Sequence, residues 1–361
     1  LLTRKIRTGI VFSLILAFVV VIAIALYSDV PRMAQALTQF RWVYLPLILA
    51  LTLFNYLIRF LKWQYYLRRL KLSLSWSKSL LIFLSGLSMA ITPGKVGELL
   101  KSYLLKQETG ASISRTSPII VAERLTDGVA MLGLATSGLV LYGFFSWGVL
   151  LALVIAGVAG IILVQNRRLA LALLVFCERL PVVSRIAHSI RAFYESAYTL
   201  LQWRPLLLAI AMGFVSWAGE CAALYFVYTG LGIAGNADLF LKATFILAMS
   251  SLVGSATGLP GGLGSADGSI LALSRFLISS SNALGGAATL LIRLCTLWFG
   301  LLIGAVALVV YRFAHRHEMT ARQADDIDEG DYKEAITLPM DEHIQGLAPV
   351  SASTSTGEDK Q

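Results

Sequence analysis

The chain has 361 residues, of which 57% are hydrophobic and 14% charged, about half the charged fraction of an ordinary soluble domain. This excludes a soluble globular protein and predicts an integral membrane protein. The net charge of +9 divides unevenly: from Arg312 onward 5 Lys and Arg stand against 11 Asp and Glu, leaving 25 against 10 before it. A body so basic suits an anionic membrane surface or an anionic substrate; with no soluble basic domain, nucleic acid is not expected as a partner.

In chain order, Thr8 to Tyr27 is an apolar run of 20 residues behind Arg4, Lys5 and Arg7, long enough to span about 30 Å as a helix. It reads as a first span with its amino end in the cytoplasm; a signal peptide would have a shorter apolar region and a small-residue cleavage site. Pro31 to Phe40 reads as a short amphipathic segment on the far side. Trp42 to Leu61 returns, with Trp42, Tyr44, Trp63, Tyr65 and Tyr66 as interfacial belts and Lys62, Arg68, Arg69, Lys71 and Lys78 marking the cytoplasmic side.

The run from Ser79 to Thr92 is apolar but only 14 residues long. Pro93-Gly94-Lys95-Val96-Gly97-Glu98 interrupts it, and a helical stretch resumes from Leu99 to Lys106. Half-length helices flanking a glycine-containing break predict a hairpin, here entering from the cytoplasm because positive charge lies at both ends. Pro118 to Phe145 then crosses outward and Trp147 to Val164 returns. Residues 167–204 alternate apolar and charged positions at helical spacing and read as amphipathic helices on the cytoplasmic face. Pro205 to Tyr228 crosses outward again.

Leu239 to Leu252 and Ile270 to Ile278 flank GSATGLPGGLGSADG, residues 254–268. Glycine loses the most backbone entropy in a helix and Pro260 lacks a donor, so this stretch predicts a loop. Unpaired backbone at membrane depth survives only where protein or a wet cavity surrounds it. The backbone of Pro93, Gly94 and Gly97 in one break, and of Pro260, Gly261, Gly262 and Gly264 in the other, therefore marks a site. Gly286 to Tyr311 completes the membrane part. The expectation is an all-α membrane protein over residues 1–312, with about six full spans, two re-entrant hairpins near 79–106 and 239–279, and both termini cytoplasmic. One broken element in each half fits inverted repeats; eight plain spans are the alternative. Residues 313–361 read as a disordered acidic tail.

Charged residues inside apolar spans are costly and mark ion pairs or wet cavities. Glu123, Arg124 and Asp127 share one side of a helix, structural or substrate-facing with equal warrant. Glu220 and Arg293 lie on small, polar helix faces, and Lys95, Glu98, Lys101, Asp267 and Arg275 cluster near the breaks. Together these ten are the candidate substrate-binding side chains. Helix N-termini after Pro93 and Asp267 favour an anion, although Asp267 also suits a plain N-cap for a helix starting at Gly268 or Ser269. The competing role for Lys95 and Arg293 is ion pairing with Glu98, Asp127 or Glu220. No P-loop, zinc or nucleophile-elbow motif occurs, and Cys177, Cys221 and Cys295 show no paired spacing. No cofactor, metal or catalytic residue is expected.

TPGKVGELLK (Thr92 to Lys101), ERLTDG (Glu123 to Gly128), LPGGLGSADG (Leu259 to Gly268) and Arg293 together resemble the lysylphosphatidylglycerol synthase transmembrane family, the flippase region of bacterial lipid aminoacylation proteins. The resemblance covers roughly residues 8 to 312. It matches Lys95, Glu98, Glu123, Arg124, Asp127, Asp267 and Arg293 to the family's polar positions, although the second loop usually carries a glutamate where Asp267 stands. It implies a stand-alone membrane region that moves an anionic lipid or a lipid-linked carrier between leaflets of the cell (inner) membrane. Aminoacyl transfer in bifunctional members belongs to a separate soluble domain, which the roughly 45 residues after the last span are too few to build. The alternative is a membrane enzyme, or an accessory subunit of a partner glycosyltransferase acting on lipid-linked substrates.

Overall fold

The computed structural model describes residues 30–92, 97–142, 187–278 and 281–315, together with Val19 and Ile155. Every regular element among the described residues is helical. Among the described residues four helices are long and apolar enough to cross a bilayer: Trp42–Arg69, Trp203–Gly230, Ala237–Ala256 and Asn282–His315. The protein is thus an all-α, multi-pass membrane protein. The expected spans Thr8 to Tyr27 and Trp147 to Val164, residues 167–186 and the tail beyond His315 fall outside the described residues. The chain divides into the units Leu1–Tyr311 and Arg312–Gln361, and the packing described below belongs to the first.

Two long helices form its axis. α1 (Val30–Thr38) is the expected amphipathic segment, and α2 (Leu45–Arg69) follows it, with a proline in its first turn and Arg68 and Arg69 in its last. These arginines complement the negative end of the helix dipole. α3 (Trp76–Leu87), α4 (Leu99–Thr109), the short α5 (Ile113–Thr116), α6 (Pro118–Tyr142) and α7 (Ala187–Leu200) lead to α8 (Trp203–Gly230). α2 and α8 run antiparallel: the Arg41 amide donates to the Gly230 carbonyl at 2.9 Å, and Arg69 donates to Gln202 at 3.0 Å at the opposite end.

Apolar packing gathers at the two ends of this pair. Ile48 of α2 and Cys221, Leu224 and Tyr228 of α8 belong to one cluster. Phe60, Trp63, Tyr66 and Leu67 of α2 and Leu206 and Ala209 of α8 belong to the other. Trp63 and Tyr66 are therefore core residues, fully buried, and not the interfacial belt that their position after Leu61 predicts. The indole of Trp63 donates to Ser79 of α3 at 3.1 Å, which satisfies its only polar atom inside the core.

Both broken elements form packed helix pairs. α3 and α4, of 12 and 11 residues, contact each other; at about 1.5 Å per residue neither reaches the ~30 Å of a bilayer core. In the second, α9 (Ala237–Ala256) packs on α10 (Ser265–Leu277). Here the arms are unequal. α9 has 20 residues and is a full-length candidate span, longer than the half-helix expected from Leu239 to Leu252. Gly254 does not end it, because this glycine serves helix contact: a Cβ there would lie 2.8 Å from the Ala266 Cβ. Small residues at such crossings let backbones approach.

The last helix, α11, starts at Asn282 and contains a π turn at Leu294–Trp298. The Tyr56 hydroxyl of α2 donates to the Thr296 carbonyl within that turn at 2.7 Å, taking up an acceptor that the irregular ladder leaves available.

Whether the second hairpin returns to its own face is decided by labelling. Ala234 and Ser281 flank it and are exposed. Single cysteines there, in a background without native cysteines, are expected to react with a membrane-impermeant thiol reagent from the same side; reaction from opposite sides would make the element a crossing.

Candidate functional site

Within the spans lies a cavity of about 170 Å³, walled by α2, α3, α4, α6, α8, α9, α10, α11 and the loop before α10. Arg59, Glu98, Lys101, Arg124, Glu220 and Arg293 are its charged lining residues.

The three charges of α6 are paired with other segments. Arg124 grips Glu98 with two nitrogens, Nε to Oε2 at 3.1 Å and Nη2 to Oε1. Lys101 donates to Glu123 at 2.5 Å, its ammonium 4.8 Å from the centre of the Trp63 ring. Asp127 pairs with Lys62, and both are buried to within 2% of complete. The reading of Lys62 as a cytoplasmic marker is thus corrected. One turn of α2 beyond Arg59, it is buried and holds the innermost charge of α6, because an unpaired Asp127 would be too costly there.

In the second half Arg293 pairs with Asp267 through Nε. Its other nitrogens reach toward the carbonyls of Gly261 and Gly262, at 3.4 and 3.5 Å. Asp267 also accepts from the Gly264 amide at 2.8 Å. It is therefore not the N-cap of a helix starting at Gly268 or Ser269: α10 starts at Ser265 with Gly264 at the N-cap, and Asp267 folds back from the third helical position to an otherwise unpaired N–H. Gly261, Gly262 and Gly264 all have φ between 61 and 83°, which favours glycine. The turn so formed places Pro260 in the protein interior and Gly261 and Gly262 on the cavity wall.

The two halves repeat this device. Pro93-Gly94-Lys95-Val96-Gly97 and Pro260-Gly261-Gly262-Leu263-Gly264 share the spacing PGxxG. After each comes a carboxylate, Glu98 or Asp267, that binds an arginine 26 residues further on. At Gly97 the amide donates to Thr92 Oγ1 at 2.9 Å, and a Cβ would lie 2.5 Å from that oxygen.

Of the other sequence candidates, Lys95, Pro93 and Gly94 fall outside the described residues. Arg275 is exposed and does not line the cavity; its eight-residue separation from Asp267 carries it about two helical turns away. Glu220 lines the cavity and accepts from Asn55 Nδ2 at 3.3 Å, with no cation in ion-pair contact among the described residues. Neither Asp127 nor Glu220 is the partner of Arg293. Cys221 and Cys295 are buried free thiols, and among the described residues no cluster of metal-ligating side chains occurs.

Arg59 is the residue that the sequence reading passed over. Its span is apolar enough to read as a plain crossing, yet Asn55, Arg59 and Lys62 recur at helical spacing and mark a polar face on α2. Among the described residues Arg59 has no ion-pair or hydrogen-bond partner, whereas Lys101, Arg124 and Arg293 each hold a carboxylate. Ser250 is a further lining residue that no sequence signal singled out, and Trp217, on the same small, polar helix face as Glu220, lines the cavity too.

The family profile described as lysylphosphatidylglycerol synthase TM region matches residues 10–304 of the chain. A UPF0104 membrane protein of Methanocaldococcus jannaschii is 26% identical over 229 residues, covering 60% of this chain and 91% of the relative. A UPF0104 membrane protein of Methanothermobacter thermautotrophicus is 28% identical over 238 residues, covering 59% and 68%.

The pairing of Arg293 makes a stability prediction. Arg293→Gln leaves Asp267 uncompensated and is expected to cost about 3 to 5 kcal/mol, the range for breaking a buried pair, read as a lower melting temperature in detergent. Adding Asp267→Asn is expected to restore most of it; adding Glu220→Gln is not.

Proposed function

The chain belongs to the lysylphosphatidylglycerol synthase transmembrane family, and from that membership we propose that it moves a lipid with an anionic headgroup between the leaflets of the cell membrane. The observation that carries this reading is the guanidinium of Arg59 on the wall of a cavity within the spans: it lies in the field of Glu220, Asp127 and Glu98 but, among the described residues, is in hydrogen-bond contact with none of them. A buried cation whose donors are unspent is expensive, and it is retained where a ligand or water takes them up. Lys101, Arg124 and Arg293 keep the wall basic, but each already spends its strongest contact on a carboxylate.

In this mechanism the headgroup enters the cavity while its acyl chains stay in lipid, and the two PGxxG elements approach the headgroup path from opposite leaflets. The backbone turn at Gly261 and Gly262, pinned by Arg293, forms part of the wall that the headgroup passes. Both termini are placed in the cytoplasm, following the distribution of positive charge.

Arg59→Gln provides the test. In proteoliposomes carrying fluorescent phosphatidylglycerol, the substitution is expected to slow headgroup movement about tenfold or more, since a charge-assisted contact contributes roughly 1.5 to 3 kcal/mol. The melting temperature is expected to fall less than in Arg293→Gln, because Asp127 and Glu98 keep their contact partners and Arg59 holds no carboxylate in direct contact. Movement at the wild-type rate would remove Arg59 from the path, and recovery of a chemically altered lipid would move the protein to the membrane-enzyme class.

A further inference from the structure

Four carboxylates around the cavity, Glu98, Glu123, Asp127 and Asp267, each hold a cation. Among the described residues Arg59 and Glu220 both line the cavity and act on each other electrostatically without being in ion-pair contact. Opposite charges this near each other, yet out of contact, leave a gap that one group can bridge with an anionic end and a hydrogen-bonding end.

The neutral polar atoms beside Glu220 define what its end receives. Asn55 is buried, and its Nδ2 donates to the Ser216 carbonyl at 3.0 Å and to Glu220 at 3.3 Å. Because both partners are acceptors, the orientation of the amide is fixed, and its Oδ1 is left without a donor. The Trp217 indole nitrogen and the Ser250 hydroxyl are also buried without a partner. All four residues line the cavity. Glu220 and Asn55 Oδ1 require donors, the indole N–H requires an acceptor, and the serine can serve as either. An ammonium group only donates and would leave Trp217 unsatisfied, whereas a methyl group satisfies none of them. Hydroxyl groups donate and accept at once, and several on adjacent carbons fit the alternation.

Resting on the lipid-movement reading above, we propose that the cavity selects a phosphodiester headgroup whose far end carries hydroxyls, a polyol or a sugar, with the phosphate on Arg59 and the hydroxyls on Asn55, Trp217, Glu220 and Ser250. The shared chemistry covers a glycerol headgroup and a sugar joined by phosphate to a polyprenyl chain.

Competition binding to the purified full chain separates the terms. The probes are phosphatidylglycerol and phosphatidylmethanol, which carry the same charge and differ in the hydroxyls, and phosphatidylethanolamine, which adds an ammonium donor. Phosphatidylglycerol is expected to bind about tenfold more tightly than phosphatidylmethanol, in line with one or two well-made hydrogen bonds, and more tightly than phosphatidylethanolamine. Polyprenyl phosphoglucose against methyl polyprenyl phosphate repeats the comparison for a sugar source, and the pair with the larger ratio identifies the source. Glu220→Gln, which keeps the volume, is expected to shrink the ratio severalfold, since the change of field at Arg59 is shared by both members of a pair and only the hydroxyl contacts differ; Arg59→Gln weakens both members of a pair equally. Equal wild-type affinities within both pairs would overturn the hydroxyl site, and this measurement needs no variant to fold. If the members of each pair bound and moved equally, with movement depending on Arg59, the lipid-movement reading would stand and the hydroxyl site would fall. Discrimination in binding with no movement of any probe would do the reverse.

Discussion

Charge inside an apolar protein has to be compensated, and this one constraint organises the membrane part of the molecule. α6 carries Glu123, Arg124 and Asp127 within five residues, and each finds its partner on a different neighbour: Lys101 on α4, Glu98 just before α4, and Lys62 on α2. The first broken element is thereby tied to α6, and α6 to α2. In the second half Arg293 ties the glycine turn and α10 to α11. Apolar residues of similar volume often replace buried pairs without loss of stability. What the pairs supply here is position: those of Glu98, Glu123 and Asp267 fix a break against a span, that of Asp127 fixes α6 against α2, and the spacing of 26 residues between carboxylate and arginine recurs in both halves.

The cavity follows from this arrangement. The glycine turn before α10 cannot continue as helix, so its backbone turns beside the spans and borders a space that α2 and α8 wall with polar groups. Compensation stops short there. Arg59 and Glu220 compensate each other only across a gap, without contact, on antiparallel helices whose ends are fixed by Arg41 to Gly230 and by Arg69 to Gln202. The π turn in α11 adds a further irregularity to the same wall, since Tyr56, which lines the cavity, holds its Thr296 carbonyl. Fixed donors and acceptors around a small volume are the form that recognition of a polar headgroup takes, because they need no reorganisation when the ligand arrives.

Much of this is legible in the residues. Hydropathy finds α6, α8 and α11 to within four residues at each end, whereas α2 runs eight residues past Leu61 to Arg69; proline and glycine find both breaks. The charges of α6 announce themselves as intramembrane groups. Partner choice is not legible, because it depends on which helices the fold brings together: Lys62 looks like the positive flank of a span until Asp127 is seen against it, and Arg293 selects Asp267 over Glu220. The length of α9 is misread for a related reason. Gly254 breaks a helix by propensity, but close packing against Ala266 favours helical glycine there, and tertiary contact overrides propensity. Arg59 is hidden by averaging, since one cation in the 20 residues from Trp42 to Leu61 hardly lowers their mean hydropathy; the polar face that it forms with Asn55 and Lys62 is the pattern to look for.

The central claim is that a lipid phosphate sits on the guanidinium of Arg59. Solid-state NMR measures this directly, through the dipolar coupling between ¹⁵N-labelled arginine side chains and the ³¹P of phosphatidylglycerol in bilayers holding the full chain. The account predicts a set of guanidinium nitrogens dephased by lipid phosphorus in the wild type and lost in Arg59→Gln, with arginine signals otherwise unchanged. Dephasing that persists in full in the Arg59→Gln protein would place the phosphate elsewhere and contradict it.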